Sequence, residues 1–365
     1  MIAYIMNKND KVLKFSIDEH NCITLKKLGK LPLDFGNLQE WIKSRARFSC
    51  ARNIKEFFAS VGIKSYIDYI YITHCVSLAD TFWVKYEDEY IKWKDISPYR
   101  NNYSEFVSRY ALEGTLKGIR NKEFYSPVLS TDGSFPHTWL FNNGNIKFIK
   151  AGSKYTLGGS NSGQEPFSEY YASKIAINLG MNAINYTIRN HNRLDGRVDI
   201  VTECSCYNSE KIGSIPASAL GLSSYTDVIA YCRDLSDNAF NTILDMLFLD
   251  CLLLNTDRHF SNIEFHVNNK TLEIIDIVPI FDNNYALLPR FMEGFDTFNR
   301  MDYLARDGSK FEDLYYLVSQ YKDYRNVLKS IDYKFKKLRG VDIRPTRISF
   351  LQNFLYEQII YLLHL

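Results

Sequence analysis

Apolar and polar positions along the chain change texture twice. Over residues 1–118, "AYIMNKNDKVLKFSID" sets two short alternating runs around an Asn-Lys-Asn-Asp turn, the pattern of paired strands. "LQEWIKSRARF" and "NIKEFFASVG" follow with helical spacing, the second stopped by Gly62. "SLADTFWVKYEDEYIKWKDI" mixes aromatics with charge, and its Trp83 and Trp93 read as packing anchors or as an interaction surface. No catalytic constellation stands out in this stretch, which predicts a small α/β unit.

Residues 119–208 are rich in strand patterns. "FYSPVLS" is a strand candidate, "TDGSFPH" a turn-rich loop, and "TWLFNNGNIKFIKAG" two strands around Asn-Gly, the strongest short hairpin signal. "SKYTLGGSNSGQ" is a loop. It leads into a helix, "EPFSEYYASKIAINLG", with Pro166 suited to its first turn and Gly180 to its end. "INYTIR" and "VDIVTECS" add two strands. Residues 209–365 are mainly helical: "NTILDMLFLDCLLL" is apolar nearly all round, so it belongs in the middle of a packed region. "IEFHVNNKTLEIIDI" is a hairpin, and two amphipathic helices close the chain. The fold class is therefore α+β.

Composition narrows the function classes. The 365 residues suffice for two or three units, and 46% hydrophobic with 24% charged residues is a globular mix. The balance of 44 basic and 42 acidic residues argues against a protein built mainly to coat nucleic acid, although it leaves room for a local basic patch. Seven scattered cysteines suit a reducing compartment. Cys204 and Cys206 are the one close pair, and no second pair or His cluster completes a zinc site. The N-terminal segment lacks the pattern of a signal peptide, and the apolar run 243–254 is short for a membrane span and holds Asp245 and Asp250. The expected location is the cytoplasm.

The candidate chemistry sits in "LNTDRHFSNIEF", which ends the apolar helix with Asp257, Arg258, His259 and Asn262. Phosphoryl transfer needs a clamp on phosphates, a metal held by oxygen ligands, and a carboxylate near the attacking hydroxyl. Asp257 is placed to orient or deprotonate a hydroxyl, and Asn262 offers an amide oxygen to Mg²⁺. Asp282 in "VPIFDNN" offers a carboxylate, and the intervening hairpin brings both loops to one edge. Asp276 is the rival acid, but its place inside "EIIDI" suits a structural role. His259 reads as a loop histidine or a chemical one, and Arg258 as the partner of a neighbouring carboxylate or of a phosphorylated loop. In "NIKFIK", Ile146, Phe148 and Lys150 share a strand face; if the apolar pair faces the interior, Lys150 points inward too and calls for a partner such as Glu169 on the next helix. A phosphate-orienting Lys–Glu pair fits, and so does a snorkelling lysine beside a solvated acid. Gly133, in the loop from Ser130 to His137, could bring backbone N–H groups to phosphates or serve an ordinary polar loop.

"NTDRHFSNIEF" with "VPIFDN" closely resembles the signature of HipA-like serine/threonine kinases, which read Asn-x-Asp-Arg-His-x-x-Asn and then Pro-x-(Phe/Tyr)-Asp-Asn. The first element is also similar to phosphatidylinositol 3/4-kinases. The HipA-like resemblance covers roughly residues 124–290. It implies a two-lobed protein-kinase-like fold, with a β-rich N-lobe at 119–208, a helical C-lobe at 209–365 and an accessory α/β subdomain at 1–118. It implies ATP and Mg²⁺ as cofactors, Asp257 as catalytic aspartate, and Asn262 and Asp282 as metal ligands. Lys150 and Glu169 match the strand lysine and helix glutamate, and Glu203 and Ser205 match the hinge whose backbone meets adenine. Residues 130–138 match the phosphate loop, with Gly133, Ser134 and His137 as nucleotide contacts and Ser130, Thr131 and Ser134 as candidate autophosphorylation sites. Where the family loop often reads Gly-x-x-x-Lys-Thr, this chain has His137 in place of the lysine. The metal segment reads Asp-Asn-Asn rather than Asp-Phe-Gly, so the usual activation switch is not expected. "LGGSNSGQ" lacks Gly-Lys-Ser/Thr and reads as a connector, not a Walker loop.

The resemblance implies transfer to a serine or threonine of a protein, and commonly the toxin role of a toxin–antitoxin pair that arrests growth through translation factors such as aminoacyl-tRNA synthetases. An antitoxin partner is then expected. No helix-turn-helix reader is evident, so DNA contact would need that partner. A lipid kinase is a second reading, because the region from Tyr321 to Arg347 is locally basic. A catalytically silent nucleotide-binding or interaction module is the third.

Overall fold

The computed structural model describes residues 1–20, 22–46, 52–60, 62–114, 125–131, 133–153 and 163–365. Asp132 and the connector 154–162 lie outside the described residues. β1 (Ile2–Asn7) and β2 (Asp10–Ile17) form the expected hairpin, with Lys8 at φ 51° in its turn. β3 (Ile23–Lys27), α1 (Leu38–Ala46), α2 (Arg52–Ser60), α3 (Tyr66–Thr73), β4 (Phe82–Tyr86), α4 (Trp93–Ile96) and α5 (Glu105–Glu113) follow, and the sheet runs β3-β2-β1-β4. The start of α3 is fixed by a capping box: Ser65 Oγ accepts the Asp68 N–H at 3.2 Å, and Asp68 Oδ2 accepts the Ser65 N–H at 2.8 Å. Trp83 and Trp93 are both buried, and each indole N–H is bonded, so both serve packing.

The next region corrects one expectation. "FYSPVLS" is not a strand: Pro127–Ser130 makes a 3-10 turn, because proline fixes φ and Ser126 Oγ accepts the Val128 N–H. The loop that follows therefore joins a turn, not a strand, to β5 (His137–Asn142). β5 and β6 (Asn145–Ala151) meet through Asn143 at φ 48° and Gly144 at φ 82°, the two positive values that a tight hairpin turn requires. α6 (Glu165–Asn178) carries Pro166 in its first turn and is followed by Gly180 at φ 72°. β7 (Thr187–Asn192) and β8 (Val198–Ser205) complete a four-stranded antiparallel sheet in the order β5-β6-β8-β7.

β9 (Ile212–Pro216), which the sequence pattern did not announce, pairs with β10 (Glu264–Asn268), far along the chain; α7 (Tyr225–Leu235) and α8 (Asp237–Leu253) come between them. β11 (Ile274–Ile277) gives the sheet order β11-β10-β9. α9 (Phe311–Ser319), α10 (Arg325–Ser330) and α11 (Pro345–His364) finish the chain. A large apolar cluster gathers α6, α7, α8, α9, α11 and the β9–β11 sheet around the buried body of α8. Among the described residues, no helix is long and apolar enough to cross a membrane.

The first region is fastened to both of the others. Its apolar cluster reaches Trp139 on β5 and Ile146 on β6. On the other side the Ser214 N–H donates to Ala79 O at 2.7 Å, and Asn7 Nδ2 donates to Asn269 O at 2.9 Å. Glu210 collects Trp93 Nε1, Ser97 Oγ and Arg100 Nε at 2.7–2.9 Å. Backbone meets backbone so closely here that a Cβ on Gly213 would collide with Ala79 O. Gly213→Ala is therefore expected to destabilise the protein by about 1–3 kcal/mol, the usual range for overpacking. Urea unfolding measures the loss, and limited proteolysis should show the first region released early.

Candidate active site

The polar loop after α8 is organised by an acid inside the helix. α8 ends at Leu254, whose φ of 49° turns the chain back on itself. Asp250, one helical turn earlier, is buried and accepts Asn255 Nδ2 at 2.8 Å, while Asn255 Oδ1 accepts the Asp257 N–H at 3.3 Å. Arg258 then returns its guanidinium to Asp250, with Nε to Oδ2 at 2.9 Å and Nη2 to Oδ1 at 3.2 Å. The same guanidinium donates from Nη1 to Phe281 O at 2.6 Å and to Asn262 O at 3.2 Å, and from Nη2 to Asn283 Oδ1 at 2.6 Å. All five of its N–H groups are thus engaged, on three segments of chain. Burial pulls the guanidinium's pKa down, but Asp250 outweighs this and holds it above the ordinary value, so it stays charged.

Around this strut the predicted residues converge. Lys150 Nζ rests on Asp282 Oδ1 and lies 3.7 Å from Glu169 Oε2. Glu169 is 1% exposed, and its Oε1 accepts the Asn283 N–H at 2.9 Å. Burial lowers the affinity of Lys150 for its proton, yet Asp282, Glu169 and Asp257 together raise its pKa. Burial also opposes charge on Asp282, but Lys150 and then Arg258 hold its carboxyl below the usual range. Asp257 behaves oppositely. Burial raises it and the Asp282 charge adds to that, against the pull of His259 and Arg306. Arg306 Nη1 stands 3.5 Å from Asp257 Oδ1. Asn262 Nδ2 donates to Asp257 O at 3.2 Å, which leaves its amide oxygen for a ligand. His259 is half-buried and its N–H closes a turn onto Asp257 O at 2.9 Å.

The donor set suits a hard divalent cation. Asp250, Glu169, Asp282 and Asp257 face the two buried cations Arg258 and Lys150, with the exposed Arg306 beside Asp257. Asp282 and Asn262 supply oxygen atoms only. Among the described residues no three His, Cys, Asp or Glu side chains form a complete metal cage.

Other expected residues have different placements. Asp276 accepts Ser236 Oγ at 3.0 Å and Asn238 Nδ2 at 2.8 Å, so it anchors the start of α8. Gly133 has φ 146°, and a Cβ there would lie 3.0 Å from the His137 ring. His137 is buried under the loop with Nδ1 donating to Phe135 O at 2.8 Å, so it does not project as a phosphate-seeking lysine would. Of the candidate autophosphorylation sites, Ser130 is buried and donates to Val76 O and Pro127 O at 2.8 and 2.9 Å. Thr131 Oγ1 donates to Pro127 O and accepts Trp139 Nε1, whereas Ser134 is exposed. Glu203 sits mid-sheet, opposite Ile149 and Thr187, and its carboxylate is held by Lys147 and Arg189. Ser205 is exposed and lies past the last pairing of β8 with β7. The loop's Phe135 packs 5.7 Å from the Tyr285 ring and 5.9 Å from Lys150 Nζ. The space left beside Lys150, against Glu165, Thr202 and Asn284, has no room for a water-sized sphere.

Sequence reasoning missed Asp250, Asn255 and Asn283 as parts of this site. The available signal was an acid in an otherwise apolar helix, which must find a partner. Asp250→Ala leaves Arg258 buried without its counter-ion. We expect a loss of about 3–5 kcal/mol in urea unfolding, as for other broken buried pairs. Asn283→Ala removes one neutral acceptor and is expected to lose about 1–3 kcal/mol.

No protein-family model matches the sequence, and no curated protein matches it. Among solved structures the chain is similar to HipA of Shewanella oneidensis MR-1, determined as a toxin–antitoxin complex with HipB and operator DNA. The TM-score is 0.53 at 14% identity, over 99% of this chain and 96% of that one. It is also similar to the Helicobacter pylori proinflammatory kinase CtkA, with a TM-score of 0.43 at 18% identity, over 64% of this chain and 92% of that one. The mixed arrangement of antiparallel sheets and helices extends the resemblance read at 255–262 and 279–283 to the backbone as a whole: the chain has the fold of the HipA-like kinases.

Proposed function

We propose that the protein is an ATP- and Mg²⁺-dependent kinase that phosphorylates serine or threonine on another protein. In this reading residues 119–208 and 209–365 are the two lobes, 1–118 is an accessory subdomain, and the nucleotide lies between the lobes. The observation that carries the reading is the meeting of Lys150, from a strand, with Asp282, Asp257 and Asn262 from two loops that Arg258 ties together. When bound, MgATP supplies the phosphoryl group and neutralises its charge. Lys150 would hold phosphate oxygens in place of Asp282, and Asp282 and Asn262 would supply oxygen ligands to the metal. Asp257 accepts a hydrogen bond from the acceptor hydroxyl and takes up its proton on a carboxylate oxygen, after Arg306 has left it. The space beside Lys150 has to widen first, since as it stands it does not admit a triphosphate. Ser134 is the autophosphorylation site favoured by exposure.

A toxin role and an antitoxin partner are supported by the likeness to a HipA solved with HipB and operator DNA, and a cytoplasmic setting by the cysteine usage. The test is incubation with MgATP and cell lysate, followed by mass spectrometry of phosphosites. Asp257→Ala is expected to reduce transfer by roughly 10²–10⁴-fold while nucleotide binding persists. Wild type that binds ATP and transfers nothing, even to itself, is instead a silent module. Transfer to phosphoinositide but not to protein makes it a lipid kinase.

A further inference from the structure

A cavity of about 450 Å³ opens beside Thr256, the neighbour of Asp257. It is larger than the space at Lys150 and is built differently. Its floor is Leu288 and Phe291, both buried, and its walls include Tyr285 and Tyr303. The backbone beneath is held in an unusual shape, with Leu287 at φ 59° and Leu288 at φ 54° in succession. Two adjacent leucines rarely adopt that conformation, and such residues persist only where surrounding structure over-determines them. Here Arg347 of α11, 3% exposed, donates from Nη2 to Leu287 O at 2.7 Å and to Leu288 O at 2.8 Å. The Leu287 N–H donates to Leu253 O at 2.7 Å. The pocket floor is thereby anchored to the helix that carries Asp250.

The rim is apolar and acidic. Phe295 lines it and is 87% exposed, and Met292, Met301 and Leu304 in the same segment are 50%, 56% and 43% exposed. An exposed aromatic ring beside a buried apolar floor is typical of surfaces that receive polypeptide side chains. Asp296 and Asp302 also line the cavity. Each uses one carboxylate oxygen locally, towards Met292 N at 2.8 Å and Asn299 Nδ2 at 3.0 Å, and keeps the other. Arg290, the one cation among the lining residues, donates to the Tyr285 hydroxyl at 2.7 Å and lies over that ring, so two carboxylates face one cation. The rim therefore favours a cationic group and disfavours a multiply phosphorylated lipid headgroup or a second nucleotide.

We propose that this cavity is the acceptor subsite: it takes an apolar side chain from a polypeptide segment bearing the target Ser or Thr, while Asp296 and Asp302 select a Lys or Arg next to it. This rests on the kinase reading and names its substrate class. An apolar side chain seated on Leu288 and Phe291 sets the register of the segment. The hydroxyl a short distance along it then reaches Asp257 through the opening at Thr256.

The experiment presents the full chain and MgATP with degenerate peptides that have a fixed central Ser or Thr. Wild type is expected to select an aromatic or aliphatic residue at one position and Lys or Arg at a nearby one. Phe295→Ala should raise KM for the selected peptide by about tenfold, the scale of one lost apolar contact, with a smaller effect on kcat. Asp296→Asn combined with Asp302→Asn should erase the basic preference and leave the apolar one. Because these side chains are exposed, each variant should unfold at the wild-type midpoint. Wild-type selection without an apolar position, or selection that Phe295→Ala leaves intact, overturns the subsite. Self-phosphorylation with no peptide phosphorylation also overturns it but leaves the kinase reading standing. Absence of both, with transfer to phosphoinositide, overturns the two together.

Discussion

The arrangement depends on one buried cation. Arg258 cannot be left bare, because an ion removed from water must recover its hydration from fixed partners. Its partners are the helix acid Asp250, two carbonyl oxygens and the Asn283 amide, so satisfying the charge also sets the distance between the 255–262 loop and the 279–283 loop. Asn283 passes the constraint on through its N–H to Glu169, and Glu169 faces Lys150 across 3.7 Å. A single electrostatic requirement therefore positions groups from α6, β6 and two loops. This explains why a strongly apolar helix gives way at once to an acid, a cation and two amides.

The first region adds a mechanical constraint. It shares its apolar cluster with β5 and β6, and its 77–80 segment lies against β9. Movement between the β5–β8 sheet and the helices must therefore bend around a body attached to each. In the 133–136 loop Phe135 meets Tyr285 ring to ring, and Gly133 takes φ 146°, a conformation that suits glycine.

Local rules made most of the fold legible. The Asn-Gly hairpin, the capped helices, the all-round apolar α8 and the hairpin between the two loops were all readable, because each is encoded within a few residues. "FYSPVLS" misled because its apolar residues suit a strand, while Pro127 and the Ser126 cap favour a tight turn. β9 escaped notice because a short strand containing Gly213 has little pattern of its own and exists through pairing with β10. In the candidate site the motif marked Asp257, Asn262 and Asp282, and strand alternation marked Lys150. Asp250 and Asn283 act through contacts made only in three dimensions. The cavity near Thr256 was the least legible, since it is formed by irregular chain at 285–303 and by leucines in a conformation that their sequence does not predict.

In the Asp-Asn-Asn segment an amide takes the second position, where a hydrophobic residue would act differently. A Phe after the metal-segment aspartate packs by shape, and alternative packings can lie close in energy. Asn283 is instead bound at both ends, through its N–H to Glu169 and through its Oδ1 to Arg258, and both partners are buried charges. Hydrogen bonds to charged groups are worth more than neutral ones, and turning Asn283 outward would leave two ions undersatisfied together. The segment is a clamp where a switch would otherwise be. Arg306, in contrast, reaches Asp257 from an exposed position.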